Sequence, residues 1–109
     1  MSRHKGQQAE KKASDYLQSL GFKIIQTNYY ARKMGEIDII ASKDEVVHFI
    51  EVKSGSGFEA VYNITPSKIN KILKSAYYYL KVNTLDCAFS IDAVIVQDED
   101  IELIENITM

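Results

Sequence analysis

The chain has 109 residues, 46% of them hydrophobic and 26% charged, the balance of one globular domain over residues 1–109. One cysteine, Cys87, excludes an internal disulfide, two histidines beside it exclude a zinc centre of the Cys/His kind, and no apolar run reaches the ~20 residues of a membrane helix. The net charge is −2, but residues 1–81 hold 13 bases against 8 acids, a net +5, while residues 82–109 hold 7 acids and no base. That segregation has two readings, a solvated face with an acidic end, or a positive surface left open to phosphates.

The opening stretch MSRHKGQQAEKK lacks the apolar centre of a signal peptide, so the expected location is cytoplasmic. Residues 7–20 read as a helix: Ala9, Ala13, Tyr16, Leu17 and Leu20 recur at helical spacing, and Gly21 is a natural stop. FKIIQTNYY (22–30) is β-branched and aromatic and reads as a strand. Two further strands follow at 36–42 and 46–53, then a flexible SGSG loop at 54–57. Thr65 caps a second helix with Pro66 in its first turn and an apolar stripe of Ile69, Ile72, Leu73, Ala76 and Leu80. CAFSIDAVIV (87–96) reads as a buried strand and IELIENI (101–107) as a last one. The predicted order is αβββαββ, an α/β fold with a mixed five-stranded sheet flanked by helices.

The third strand places charge where a sheet favours apolar side chains. Val47, Phe49, Glu51 and Lys53 share one face by alternation. With a two-residue turn at Asp44–Glu45, Lys43 pairs with Val46, which sets Asp38 opposite Glu51 and Glu36 opposite Lys53. Directly opposed like charges repel, and a divalent cation is the natural compensation. Carboxylate oxygens completed by water and phosphate suit Mg²⁺ or Mn²⁺. Glu10 falls at the border of the first helix's apolar stripe and leans toward the sheet, either as a third acid or as a boundary residue whose stem packs. Lys53 either orients a water and offsets developing phosphate charge, or forms a structural ion pair with Glu51. Asp92, on a buried strand, reads as structural, directed at a helix terminus or a lysine.

Asp38 followed by Glu51-Val52-Lys53 resembles the Asp…Glu-X-Lys signature of the restriction-endonuclease-like nucleases. The upstream Glu10 makes it similar to archaeal Holliday-junction resolvases. A closer resemblance, over nearly the whole chain, is to the YraN-like family of bacterial endonuclease-like proteins. It is carried by Gly6, Glu10, Ala13, Leu17 and Gly21, by Gly35-Glu36-Ile37-Asp38, by Phe49-Ile50-Glu51-Val52-Lys53, by Thr65-Pro66-Ser67-Lys68, and by Cys87 and Asp92. The resemblance implies a restriction-endonuclease-like core, a divalent metal on Asp38, Glu51 and Glu10, a catalytic set of Glu10, Asp38, Glu51 and Lys53, and DNA as substrate. Three positions depart from it: Ile69 where a Gln commonly stands, Ser54-Gly55 in place of basic residues, and Ser90 where an Arg often precedes the aspartate. Each departure removes a polar or cationic group that would touch phosphate, which raises the alternative of a nucleic-acid-binding module without turnover.

Around that centre, Lys68 and Lys71 at the start of the second helix, with Arg3 and Lys5, are the candidate nucleic-acid contacts. Tyr77, Tyr78 and Tyr79 cannot all face the core; an exposed one suits base stacking or the interface of a homodimer.

Overall fold

The computed structural model describes residues 3–55 and 64–108, with side chains in the first helix from Gln7 onward. Helix α1 (Arg3–Ser19) leads into β1 (Lys23–Tyr30), a single 3₁₀ turn (Arg32–Met34), β2 (Glu36–Lys43) and β3 (Val46–Ser54). Helix α2 (Pro66–Val82), β4 (Phe89–Val96) and β5 (Ile101–Ile104) complete the described chain. The strands form one sheet in the order β1-β2-β3-β4-β5. All neighbours are antiparallel except β3 and β4, which run parallel across the α2 crossover. This is the expected mixed five-stranded sheet with two helices, consistent with a restriction-endonuclease-like core.

Helix α1 ends where Gly21 takes a φ of +95°, backbone that a β-carbon disfavours. There the Phe22 N–H reaches back to the Leu17 carbonyl at 3.0 Å. Ala9, Ala13 and Leu17 bury one stripe of the helix against Ile39, Ala41, Ile50, Val52, Val94 and Val96 on the sheet. Removing a Leu17-sized side chain from water is worth about 1.5–3 kcal/mol. Leu20 lies beyond this stripe and is exposed, since the helix has stopped before it can turn inward. On the opposite face α2 packs Ile72, Ala76, Tyr79 and Leu80 against Ile37, Ile40, Val47, Phe49 and Ile91. The Thr65 hydroxyl caps α2 by accepting from the Lys68 N–H at 3.2 Å.

The β2–β3 hairpin takes the register counted from its turn. Asp44 and Glu45 both hold positive φ, and the pairs run from Lys43 with Val46 to Ile39 with Ile50. There the ladder stops, one pair before Asp38 and Glu51. Alternation also fails at this point: Ile39 and Ala41 join the core under α1, whereas Ile37 joins Ile40 under α2. On β1, Asn28, flanked by the paired residues Thr27 and Tyr29, holds a φ of +53°. The sheet is therefore bent at Asp38 from both sides, and the expected pairing of Glu36 with Lys53 is not formed; Glu36 pairs with Tyr30 instead.

Two strand ends differ from expectation. Strand β4 starts at Phe89, and Cys87 is an exposed residue in the preceding bend, because α2 must first be released through Asn83 and Thr84. Strand β5 ends at Ile104, where Asn106 turns the chain with a φ of +58° and gives its N–H to Asp92. Among the described residues no helix is long and apolar enough to cross a membrane.

Candidate functional site

The bend in β2 gives Asp38 a partner other than its own ladder. Its Oδ2 accepts the Val52 N–H at 2.8 Å, so a side chain closes the backbone gap between β2 and β3. Burial and the neighbouring Glu51 carboxylate push the Asp38 carboxyl up from 3.8 to about 7, with Glu10 and Glu36 adding to the rise and the Val52 N–H opposing it. Three acids from α1, β2 and β3 thus act electrostatically on a fourth that is half buried.

Glu51 is 6% exposed and points to the α2 side of the sheet. Its Oε1 meets the Lys68 ammonium at 3.0 Å and the Lys53 ammonium at 3.4 Å. Lys53 arrives from the same strand and face, two residues on. Lys68 arrives from the first turn of α2, held there by the Thr65 cap. Burial lowers the Lys53 ammonium below its ordinary value, and Lys68 beside it acts in the same direction. Burial would lower Lys68 too, but its contacts with Lys53 and Glu51 outweigh that and raise it. The two lysines sharing one carboxylate are therefore not equivalent: Lys53 is the one from which a proton is more easily withdrawn.

The structure brings Asp38, Glu51, Lys53 and Lys68 together. Glu10 is half buried on α1 and lies near enough to Asp38 to raise it. Among the described residues no group of three or more His, Cys, Asp or Glu side chains is gathered to hold a metal ion. The acids thus form a close pair on the sheet, with Glu10 acting from the neighbouring helix. Lys71 is exposed and one turn beyond Lys68; Arg3 and Lys5 lie outside the residues whose side chains are described, as does part of the SGSG loop. Of the three tyrosines, Tyr79 is buried, Tyr78 is half buried, and Tyr77 is 58% exposed with its ring edge-on to Phe89.

Asp92 is structural, as expected, but its partners are neither a helix terminus nor a lysine. It is fully buried; Oδ2 lies 2.5 Å from His48 Nδ1, and Oδ1 accepts from the Ser90 hydroxyl at 2.5 Å and from the Asn106 N–H at 2.9 Å. The parallel register sets His48 beside Ser90 and Ile50 beside Asp92. The hydroxyl of Ser90, one of the departures from the family pattern, is thus engaged by the buried Asp92. Phe22 closes over the His48 ring edge-on at 4.9 Å.

Residues 9–96 match a protein family described as "Uncharacterised protein family UPF0102". A UPF0102 protein of Helicobacter hepaticus is 56% identical over 108 residues, covering 99% of this chain and 97% of its own. One from Wolinella succinogenes is 54% identical over 109 residues with both chains fully covered. One from a Sulfurovum species is 52% identical over 105 residues, covering 95% and 93%. At that identity and coverage this chain belongs to the UPF0102 family, the YraN-like proteins.

Proposed function

We propose that this protein is a divalent-metal-dependent endonuclease that hydrolyses DNA on a restriction-endonuclease-like core. The observation that supports it most is the meeting of Asp38 and Glu51 at the bend of the sheet, flanked by Lys53 and Lys68. The donor set fits Mg²⁺ or Mn²⁺: all ligands are hard carboxylate oxygens, and the excess negative charge felt by Asp38 is what a cation relieves. Asp38 and Glu51 would hold the ion, with Glu10 as an outer ligand. When bound, the ion supplies Lewis-acid polarisation of the phosphoryl oxygen and charge neutralisation. Lys53 would orient the attacking water and, as the ammonium that Glu51 favours, offset charge developing on the phosphoryl oxygens. Lys68 holds Glu51 in place from the start of α2.

The test is a melting curve with Mg²⁺ or Mn²⁺ and Mn²⁺-supported cleavage of branched, single-stranded and duplex DNA. The metal should raise the melting temperature of the wild type and not of Asp38→Asn. Equal shifts in both proteins refute the site. A second reading is a nucleic-acid-binding module that cleaves nothing. It is favoured by the neutralisation of Glu51 by two lysines and by the want of a three-acid cluster among the described residues. Metal binding without turnover on any DNA form decides for it.

A further inference from the structure

Beside the carboxylate pair, the connection between β1 and β2 builds a second feature. Tyr30, Arg32, Lys33 and Met34 line an open cleft. Tyr30 is 71% exposed at the end of an edge strand, directly opposite Glu36 in the ladder. Glu36 is two residues from Asp38, about 7 Å along the strand. The 3₁₀ turn is followed by Gly35, which lies against α2: a β-carbon there would be in ordinary van der Waals contact with Ser75 Oγ at 3.5 Å and Lys71 Cβ at 3.8 Å. Gly35 itself holds a φ of +135°, and the Ala31 N–H closes the turn onto the Gly35 carbonyl at 2.8 Å. Arg32 holds a φ of +55°, the left-handed region that non-glycine residues adopt mainly in turns. The turn thus sets Arg32, Lys33 and Met34 around one cleft with the exposed ring of Tyr30.

We infer that this cleft binds an unpaired nucleotide of the DNA next to the carboxylate pair, with its base on Tyr30 and its phosphates on Arg32 and Lys33. An exposed ring accepts any base face, and cations beside it take the backbone. Met34 supplies apolar surface under the base, and Glu36 marks the inner edge toward Asp38. A blunt duplex keeps its bases stacked and offers nothing to the ring. The inference deepens the proposed function by specifying its substrate: DNA with a single-stranded segment at the cleavage site.

The test uses labelled DNA at low salt in EDTA, so that no hydrolysis intervenes, and compares a duplex carrying a short single-stranded tail with the same duplex blunt. The wild type should prefer the tailed form about tenfold, the scale of one base stacked on an aromatic ring. Tyr30→Ala should lose that preference and Tyr30→Phe keep it, both melting like the wild type because the ring is exposed. Arg32→Ala with Lys33→Ala should weaken binding to both DNAs and flatten the salt dependence. Equal binding of tailed and blunt DNA by the wild type, or an unchanged preference in Tyr30→Ala, overturns the inference. Cleavage measured separately keeps the two proposals apart: a Tyr30-dependent preference without cleavage refutes the nuclease and leaves the cleft, and cleavage without that preference does the reverse.

Discussion

Asp38→Asn should make the protein more stable, by an amount that grows with pH. The ordinary aspartate value is 3.8 and the folded value about 7; at 1.36 kcal/mol per pKa unit the difference corresponds to about 4 kcal/mol. The sign follows from proton binding. Between those two values the folded protein holds a proton that the unfolded chain has released, so stability falls as pH rises through that window. An asparagine carries no charge to lose, and its side-chain oxygen still accepts the Val52 N–H. The gain over wild type should therefore be near zero at about pH 4 and approach about 4 kcal/mol at about pH 8. That is on the order of 10 °C or more in melting temperature for a domain of this size. Urea unfolding across this range, without divalent metal, measures it. A difference that does not vary with pH would show that Asp38 is not held against its charge, and the electrostatic basis of the candidate site would fall with it.

Three other outcomes follow from the geometry. Lys53→Ala should barely change stability, because Lys68 still pairs with Glu51 at 3.0 Å, while Mn²⁺-supported cleavage falls on the order of 10²–10³-fold; a large loss of stability with normal cleavage refutes the assigned role. Removing both lysines leaves Glu51 buried and unpaired, and Lys53→Ala with Lys68→Ala should cost about 3–5 kcal/mol in urea unfolding, so additive small losses argue against the shared contact. Asp92→Ala strips partners from His48, Ser90 and Asn106 together and should cost at least ~3 kcal/mol at neutral pH, with a melting temperature near that of wild type as the contrary result.

Much of the centre was legible because it rests on short-range rules. The alternation of Val47, Phe49, Glu51 and Lys53 gave their common face, and the two-residue turn at Asp44–Glu45 gave the register from Lys43 with Val46 to Ile39 with Ile50; the expected pair of Asp38 with Glu51 is not part of that ladder, and Asp38 reaches the Val52 N–H instead. The same counting went wrong from Asp38 to Glu36, because a perfect ladder was continued through a bend that the sequence does not announce. Lys68 was accessible from its cap and from its place after a loop. The His48–Asp92 pair was not: its two residues are 44 positions apart, and only the parallel register of β3 on β4 brings them together. Arg32 and Lys33 were missed for a similar reason. Within the chain they are two bases in a connection, and what makes them a surface is the packing of Gly35 on α2.

The bond from the Val52 N–H to Asp38 gives this centre a built-in indicator. In a regular strand an amide hydrogen answers to a carbonyl, which does not titrate. Here it answers to a carboxylate whose ionisation falls near neutrality. The resonance of that single amide should therefore move with pH about a midpoint near 7 and be displaced when a cation occupies the acids. An isotope-labelled sample followed by NMR reads the state of the centre through one backbone position, in the resting protein.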